Sequence, residues 1–308
     1  MENLKVATSP HIVSATSTKK LMLNVVMATL PAVVMSGLIF GPRAWALIAV
    51  TVISCVGTEW LWCKSFKKPI PISDLSAVVT GILLAFNLPA NLPFYMAVIG
   101  GVVAMIAVKH LFGGLGYNFA NPAIVARIVL AVSFTSAMTN FPVAKAFMGI
   151  DALAGATPLV AVQSGTNIPL MTLLVGTHGG VLGETCAAAL LLGGIYLVIT
   201  KTIDPTTPVV YMGTVAIIAL LMGQDVVVQM LSGGLLLGAF FMATDYVTCP
   251  YNTKGKIIYG VGLGLITALI RIFGSMAEGV SYAILIMNLL VPFINDLSRK
   301  TPLGGAKK

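Results

Sequence analysis

One threonine lies in a setting that suits covalent chemistry, within the sequence Ala154–Leu159, A-G-A-T-P-L. Gly155 and Ala156 leave the Thr157 hydroxyl sterically unobstructed. Pro158 biases Thr157 toward an extended backbone, from which the side chain can project. This arrangement suits a hydroxyl that is presented to a modifying enzyme. Taken alone, the same six residues are also typical of a structural turn.

Polar side chains inside or beside apolar segments form a second group of candidates. Arg127 falls about two turns into an apolar segment, where a charge costs about 2.5–3.5 kcal/mol on insertion scales, so we expect it to face away from lipid. It could hold an anion or a carboxylate, or it could bind the carbonyl groups of a broken helix. Asn118, Asn121 and Asp245 supply oxygen ligands of the kind that Na⁺ prefers, and helix capping explains them equally well.

Four other polar residues have simpler expected roles. We expect Arg271, near the end of an apolar segment, to extend its charge to the membrane surface. We expect Glu59 to form a surface ion pair with neighbouring lysines, and Glu184 to be paired because burying it alone is costly. His178 could titrate near neutral pH, although a single loop histidine is usually incidental.

The composition excludes a soluble globular protein. Of the 308 residues, 57% are hydrophobic and 9% are charged, against about 25% charged residues in soluble domains. The apolar runs are long and rich in glycine, unlike the short alternating strands of a membrane barrel. The formal net charge of +8 is scattered in ones and twos, which predicts no nucleic-acid partner. The four cysteines lie too far apart along the chain to suggest a metal or iron–sulfur motif.

The apolar runs predict an all-α polytopic membrane protein with about ten transmembrane helices. If the N-terminus is cytoplasmic, fourteen Lys and Arg residues fall in inner loops or tails and only Arg43 and Lys145 in outer ones, a strong positive-inside asymmetry. The polar N-terminus has no apolar region typical of a cleaved signal peptide. The predicted spans are 21–40, 44–63, 77–88, 92–108, 122–138, 181–200, 208–222, 226–242, 255–274 and 279–294.

Weak internal similarity indicates two five-helix repeats. Gly101 and Ala107 match Gly262 and Ala268 at an offset of 161, and an odd number of spans per unit requires the two copies to have opposite orientations. The spans at 77–88 and 232–244 run into polar and proline residues, so they predict interrupted helices at the repeat interface; a short tilted helix is the alternative. The chain then divides into a cytoplasmic segment 1–20, a first repeat 21–138, an outer loop 139–180, a second repeat 181–294 and a cytoplasmic tail 295–308.

Three segments resemble the NqrB/RnfD family. The sequence Ala154–Leu159, preceded by Asp151, is similar to the motif by which that family attaches FMN through its phosphate to a threonine, here Thr157. Ser9-Pro10-His11 and Gly113–Ala123 also resemble that family, and the similarity extends over essentially the whole chain. Ala154 replaces the usual serine of the motif, which leaves the acceptor hydroxyl in place. The family's long N-terminal extension, found in the subunit of the NADH:quinone reductase, is not present before Ser9, which favours the Rnf branch.

The resemblance implies a membrane subunit of an ion-pumping ferredoxin:NAD oxidoreductase of the inner membrane, inactive alone. Covalent FMN on Thr157 would carry the electrons, with Asp151, Gly155, Ala156 and Arg127 at its site and a non-covalent riboflavin as a second candidate cofactor. The implied partners are the A, B, C, E and G subunits of the Rnf complex, a flavin transferase and membrane lipid. The alternatives are an NqrB-like subunit that pumps Na⁺, a solute channel or secondary transporter, and a structural membrane anchor.

Overall fold

The computed structural model describes residues 16–142, 157–163, 168–274 and 279–299, and every regular element within these ranges is helical. Four helices are long and apolar enough to cross a membrane, and five shorter apolar helices accompany them. The prediction of an all-α polytopic membrane protein is therefore confirmed. The helices are α1 (Thr18–Phe40), α2 (Pro42–Ser65), α3 (Ser76–Phe86), α4 (Phe94–Val102), α5 (Pro122–Ser133), α6 (Thr135–Thr139), α7 (Pro158–Gln163), α8 (Leu170–Val175), α9 (Ala187–Ile199), α10 (Thr206–Leu221), α11 (Val226–Leu231), α12 (Leu235–Leu237), α13 (Thr253–Phe273) and α14 (Val280–Ser298).

The two ends of α1 define two faces of the helix bundle. We call the face at which α1 begins the first face and the face at which it ends the second face. Asn24, near the start of α1, donates a hydrogen bond to Thr202, which follows α9, so that connection lies at the first face. Arg43, at the start of α2, donates to the carbonyl of Asn91, so the chain around Asn91 lies at the second face.

The helices of the two halves pack in corresponding pairs. Helix α2 packs on α4 as α10 packs on α13, and α4 packs on α5 as α13 packs on α14. Helix α1 packs against its counterpart α9 across the centre. The final residue of α14 accepts a hydrogen bond from Asn252, just before α13, so α13 begins and α14 ends at the same face. The division into two five-helix repeats stays a prediction.

Both predicted helix interruptions are present. Helix α3 ends at Phe86, and irregular backbone runs from Asn87 to the start of α4. In the second half, α12 continues as a π-helix over Gly238–Met242 and ends before irregular backbone. Backbone N–H groups of Leu182 and Gly183 donate to carbonyls at the first interruption over 3.1 and 2.9 Å. The polar backbone at the break is thus satisfied by protein, as irregular chain at membrane depth requires.

Three predicted span boundaries differ from the structure. The sequence predicts a sixth span from Val181, but α9 begins at Ala187 and the buried residues before it are irregular. The span 226–242 is divided between α11 and α12 by a turn at Ser232–Gly234, in which Gly233 and Gly234 have φ of 65° and 69°. Helix α5 ends before Phe134, and a short α6 follows. The predicted long connection 139–180 contains the short helices α7 and α8 in its described parts.

Candidate functional site

Thr157 immediately precedes α7, and its hydroxyl is buried without a hydrogen-bond partner. Its backbone carbonyl accepts hydrogen bonds from the N–H groups of Val160 and Ala161, both over 3.0 Å, and so begins the helix. The residue is 5% exposed, so the structure buries the hydroxyl that the sequence predicts to be presented to an enzyme, and Oγ1 has no hydrogen-bond partner among the described residues. Buried hydroxyls are normally hydrogen-bonded, so this one is available for another group. Asp151, Gly155 and Ala156, which the sequence predicts to lie beside it, fall outside the described residues.

Leu159 links this threonine to a turn in the second half. A Cβ atom built on Gly233 would clash with Leu159 Cδ1 and would lie 2.7 Å from Arg271 Nη2. The short helix α7 also packs against α11, which ends just before that turn. Thr157 is therefore two residues away from a point at which the α7 segment meets the Arg271 guanidinium.

Arg271 is fixed inside the bundle near the end of α13, at the second face. It is 3% exposed, which shows that the expected extension to the membrane surface is wrong. Nη1 donates to the backbone and side-chain oxygens of Gln229 over 2.7 and 3.1 Å, and Nη2 donates to the carbonyls of Ser232 and Gly233 over 3.0 and 2.9 Å. All four acceptors are neutral, and Nε has no partner. The turn before α12 requires these donors because its carbonyls are otherwise free.

Arg127 faces the interior of the bundle, as the sequence predicts. Its Nη1 donates to the Ser281 hydroxyl on α14, and its Nη2 lies 3.8 Å from Glu184 Oε1. Glu184 is thus paired, as expected, and the same carboxylate oxygen lies against Gly234. Arg127 is therefore connected to the turn at Gly233 and Gly234 through Glu184. Its role in holding a cofactor stays a prediction.

The segment between α8 and α9 contains further buried polar atoms without partners. Within the part of the chain that the structure describes, no hydrogen bond is made by Thr177 Oγ1, Thr185 Oγ1 or His178 Nε2, although each residue is at most 2% exposed. His178 Nδ1 lies 3.0 Å from the Gly179 carbonyl, so the imidazole is held in place. With Thr157 Oγ1 and Arg271 Nε, these atoms make the second face rich in buried polar atoms that have no hydrogen-bond partner among the described residues. Such a concentration indicates a polar group or water in this region.

A second charged cluster lies at the first face, where the sequence predicts only a surface ion pair of Glu59. Lys109 Nζ is 2.6 Å from Glu59 Oε1 and 2.7 Å from the Ser76 hydroxyl, with the Lys109 and Glu59 side chains 3% and 0% exposed. His110 Nε2 lies 3.5 Å from the same carboxylate oxygen. Glu59 is consequently buried, and the expectation of a surface ion pair is wrong. The tertiary fold, which brings α4 against α2, causes the difference.

The predicted oxygen-rich residues line one cavity beside this cluster. Asn118, Asn121, Asp245 and Lys109 border a cavity of about 300 Å³ whose other walls are mainly apolar. The Asn121 side chain accepts from two N–H groups at the start of α5, which confirms its predicted capping role. Asp245 accepts from the Thr248 hydroxyl over 3.2 Å. Within the described ranges, no three His, Cys, Asp or Glu residues are grouped to hold a metal ion.

At the same face, an ion pair outside the helices shows a perturbed carboxyl group. Lys256 Nζ lies 2.6 Å from Asp204 Oδ2 in the connection before α10. This hydrogen bond, together with one from the Thr206 backbone, lowers the pKa of Asp204 to about 2. The pair is partly exposed, with the Asp204 side chain at 39%.

Comparisons with known proteins give a consistent result over the whole chain. The model of the NQR2, RnfD, RnfE family matches residues 5–304. The D subunit of a Na⁺-translocating ferredoxin:NAD⁺ oxidoreductase complex from Acetobacterium woodii is 47% identical, with 99% of this chain and 96% of the relative covered. A proton-translocating counterpart from Clostridium ljungdahlii is 40% identical over 97% of this chain and 96% of the relative. The D subunit of an ion-translocating oxidoreductase complex from Aeromonas salmonicida is 32% identical over 98% and 99%.

Proposed function

Because the chain belongs to the NQR2, RnfD, RnfE family, we propose that it is the D-type membrane subunit of an Rnf-type ferredoxin:NAD⁺ oxidoreductase that translocates ions. The names of two relatives differ in the ion, Na⁺ in one and protons in the other, so they assign no ion to this chain. The proposed complex includes the A, B, C, E and G subunits of the Rnf type. NAD⁺ binds to one of those partners in this proposal, since this helical chain carries no dinucleotide-binding fingerprint in its sequence.

The proposed electron carrier is FMN attached through its phosphate to Thr157. The observation that carries this proposal is the buried Thr157 hydroxyl, which has no hydrogen-bond partner although its backbone begins α7. In the attachment, Thr157 Oγ1 loses its proton and forms a bond to phosphorus, and a phosphoanhydride bond of an activated flavin nucleotide breaks. The leaving nucleotide takes the electron pair of that bond, and a flavin transferase catalyses the exchange. Bound flavin supplies the ability to accept and donate electrons, while the protein supplies position and electrostatics.

The other proposed cofactor contacts have different support. The Arg127 side chain is 11% exposed and is held by Ser281 and Glu184, so it can present a fixed positive charge toward the second face. Asp151, Gly155 and Ala156 belong to the proposed site by their place in the attachment motif. A non-covalent riboflavin is a second proposed cofactor, and the cavity of about 300 Å³ between the two halves provides a space with apolar walls and polar edges for it.

Covalent labelling of the denatured chain tests the proposal. The protein is co-expressed with its flavin transferase, purified, denatured and examined by in-gel flavin fluorescence and by mass spectrometry of the peptide that contains Thr157. We expect fluorescence in the wild type, none in Thr157→Ala, and at least partial labelling in Thr157→Ser because the hydroxyl persists. Thr177→Ala is the matched control, since it removes another buried hydroxyl without a partner in the same connection. An FMN mass on a different peptide, or on none, would contradict the proposal and favour a transporter without flavin.

The proposed orientation places both termini in the cytoplasm and the second face outside. It rests on the asymmetry of fourteen inner against two outer Lys and Arg residues in the sequence. Reporter fusions at the C-terminus and within the connection 139–180 measure it directly. An outward-facing C-terminus would contradict the ten-span arrangement in the bacterial inner membrane.

A further inference from the structure

We infer that Arg271 is a positioning residue that neutralises the phosphodiester on Thr157 and thereby holds the attached flavin at the second face. This inference rests on the proposed attachment of FMN. A threonine esterified through the flavin phosphate gains one negative charge at its own side chain. Arg271 is the buried cation whose contacts place it beside the α7 segment.

The two halves of the chain provide an internal comparison for Arg271. Lys109 and Arg271 are separated by 162 positions (271 − 109), close to the offset that relates the two repeats. Each lies near the end of the helix that follows an interrupted one, and each bonds to a serine close to the start of that interrupted helix. Lys109 contacts the Ser76 hydroxyl, and Arg271 contacts the Ser232 carbonyl. The two cations therefore occupy corresponding places at opposite faces.

The two places differ in charge. Lys109 is neutralised by Glu59 of α2 at 2.6 Å, whereas the side chain that Arg271 contacts is the neutral amide of Gln229, which lies on α11. Glu184 also lies in this region and attracts both arginines, although its ion-pair contact is with Arg127 at 3.8 Å. Arg127, Arg271 and Glu184 together therefore carry one more positive charge than negative charge. The part of the chain that the structure describes thus gives Arg271 four neutral acceptors, an Nε without a partner and no ion pair of its own.

Burial makes this surplus charge significant. A buried charge is strongly unfavourable unless an opposite charge or dipole compensates it, and attraction between charges increases where water is excluded. Leu159 Cδ1 and Arg271 Nη2 both approach the same position on Gly233, where an added Cβ would meet them. Thr157 is two residues from Leu159, and its unpartnered hydroxyl is the atom that would carry the phosphate. The site thus offers a cation to the one group on this connection that acquires a negative charge.

Gln229→Glu tests the inference without removing the arginine. The substitution keeps an oxygen acceptor for Arg271 Nη1 and adds one negative charge. Arg271 would then have an ion-pair partner, as Lys109 has in Glu59 at the first face. We expect the fraction of chains labelled with FMN to fall severalfold when the flavin transferase is limiting. The control is Gln224→Glu, which adds the same charge in the connection between α10 and α11 at a residue that is not among the hydrogen-bond partners of Arg271 in the described ranges. We expect wild-type labelling there.

A second measurement uses thermal stability and keeps the test valid if labelling is incomplete. In the flavin-free Thr157→Ala background, we expect Gln229→Glu to raise the melting temperature because it supplies the missing negative charge. In labelled protein bearing Thr157, we expect no such increase, since the phosphodiester already neutralises Arg271.

The outcomes separate the two proposals. The role of Arg271 would be overturned, and the attachment of FMN would stand, if Gln229→Glu and wild type were labelled equally and Gln229→Glu changed the melting temperature by the same amount with and without attached flavin. A wild-type chain without FMN on Thr157 would overturn the proposed attachment and this inference with it. Reduced labelling with different melting shifts in the two backgrounds supports both.

Discussion

Removing Lys109 should destabilise the protein strongly because its partner would be left charged and buried. Lys109 and Glu59 are 3% and 0% exposed, with 2.6 Å between Nζ and Oε1. Breaking a buried ion pair of this kind costs about 3–5 kcal/mol. His110 Nε2 lies 3.5 Å from the same carboxylate and stays beside it after the substitution. We therefore expect Lys109→Met to lower the free energy of unfolding by about 3 kcal/mol, the lower end of that range.

The assay is equilibrium unfolding in mixed detergent micelles. Trp62 stacks on His110 with ring centroids 6.0 Å apart, so its fluorescence reports on this cluster. Lys256→Met is the matched control: its ion pair has the same 2.6 Å distance, but the side chains are 19% and 39% exposed. Exposed pairs contribute about 0–1 kcal/mol, so the control should lose little stability. Adding Glu59→Gln to Lys109→Met should recover part of the loss.

Equal losses for Lys109→Met and Lys256→Met would refute this reasoning. Such a result would mean that water or a mobile partner screens the buried pair as effectively as the exposed one. A double variant no more stable than Lys109→Met would point the same way. It would show that the carboxylate left behind is not the cause of the destabilisation.

Three further predictions concern packing, pH and electron flow. Gly193→Ala should lower the free energy of unfolding by about 1–3 kcal/mol, because its Cβ would clash with a backbone oxygen of α1. Gly213→Ala, which has open space around it, should change that free energy by no more than about 1 kcal/mol. Unfolding in detergent compares the two variants. The Asp204 pKa is lowered to about 2 by Lys256, so its stabilising contribution is present above the ordinary value of 3.8 and is lost as pH falls toward 2. Because Asp204 is 39% exposed, the free energies of unfolding of Asp204→Asn and wild type should differ by at most about 1 kcal/mol at pH 6 and become equal near pH 2. Melting curves at several pH values measure this difference. Arg127→Ala, in the assembled complex, should lower ion uptake or ferredoxin-to-NAD⁺ electron transfer in vesicles while flavin labelling persists. Wild-type rates of both would show that Arg127 only stabilises the packing of the helices.

The helices and their interruptions could be predicted from the sequence because both depend on local chemistry. Long apolar runs specify crossing helices, and the polar and proline residues that follow Phe86 end α3 where expected. The start of α9 was harder to predict. Val181–Cys186 is buried yet irregular, and hydropathy responds to burial in both conformations. The π-helices at Val103–His110 and Gly238–Met242 have no comparable sequence signal.

The charged residues show why burial could not be inferred from position along a span. Glu59 lies near the end of α2 and Arg271 near the end of α13, where side chains commonly reach the surface. Packing of other helices over these ends buries both residues instead. One signal in the sequence could have identified Arg271, because the offset that relates the two repeats places it opposite Lys109. Because Arg271 and Lys109 occupy corresponding places near the ends of their helices, both could have been expected to make structural contacts.

The same correspondence explains why two related units need not perform related chemistry. At the first face, Glu59 neutralises the cation near the interrupted helix α3, so that position requires no further anion. At the second face, Gln229 provides hydrogen bonds without charge, and Arg271 keeps its positive charge beside the α7 segment. An electron carrier attached through a phosphate should therefore be stable at the second face and unfavourable at the first. One carboxylate beside only one of two corresponding cations is enough to make the two units differ in the charge that they offer to a bound group.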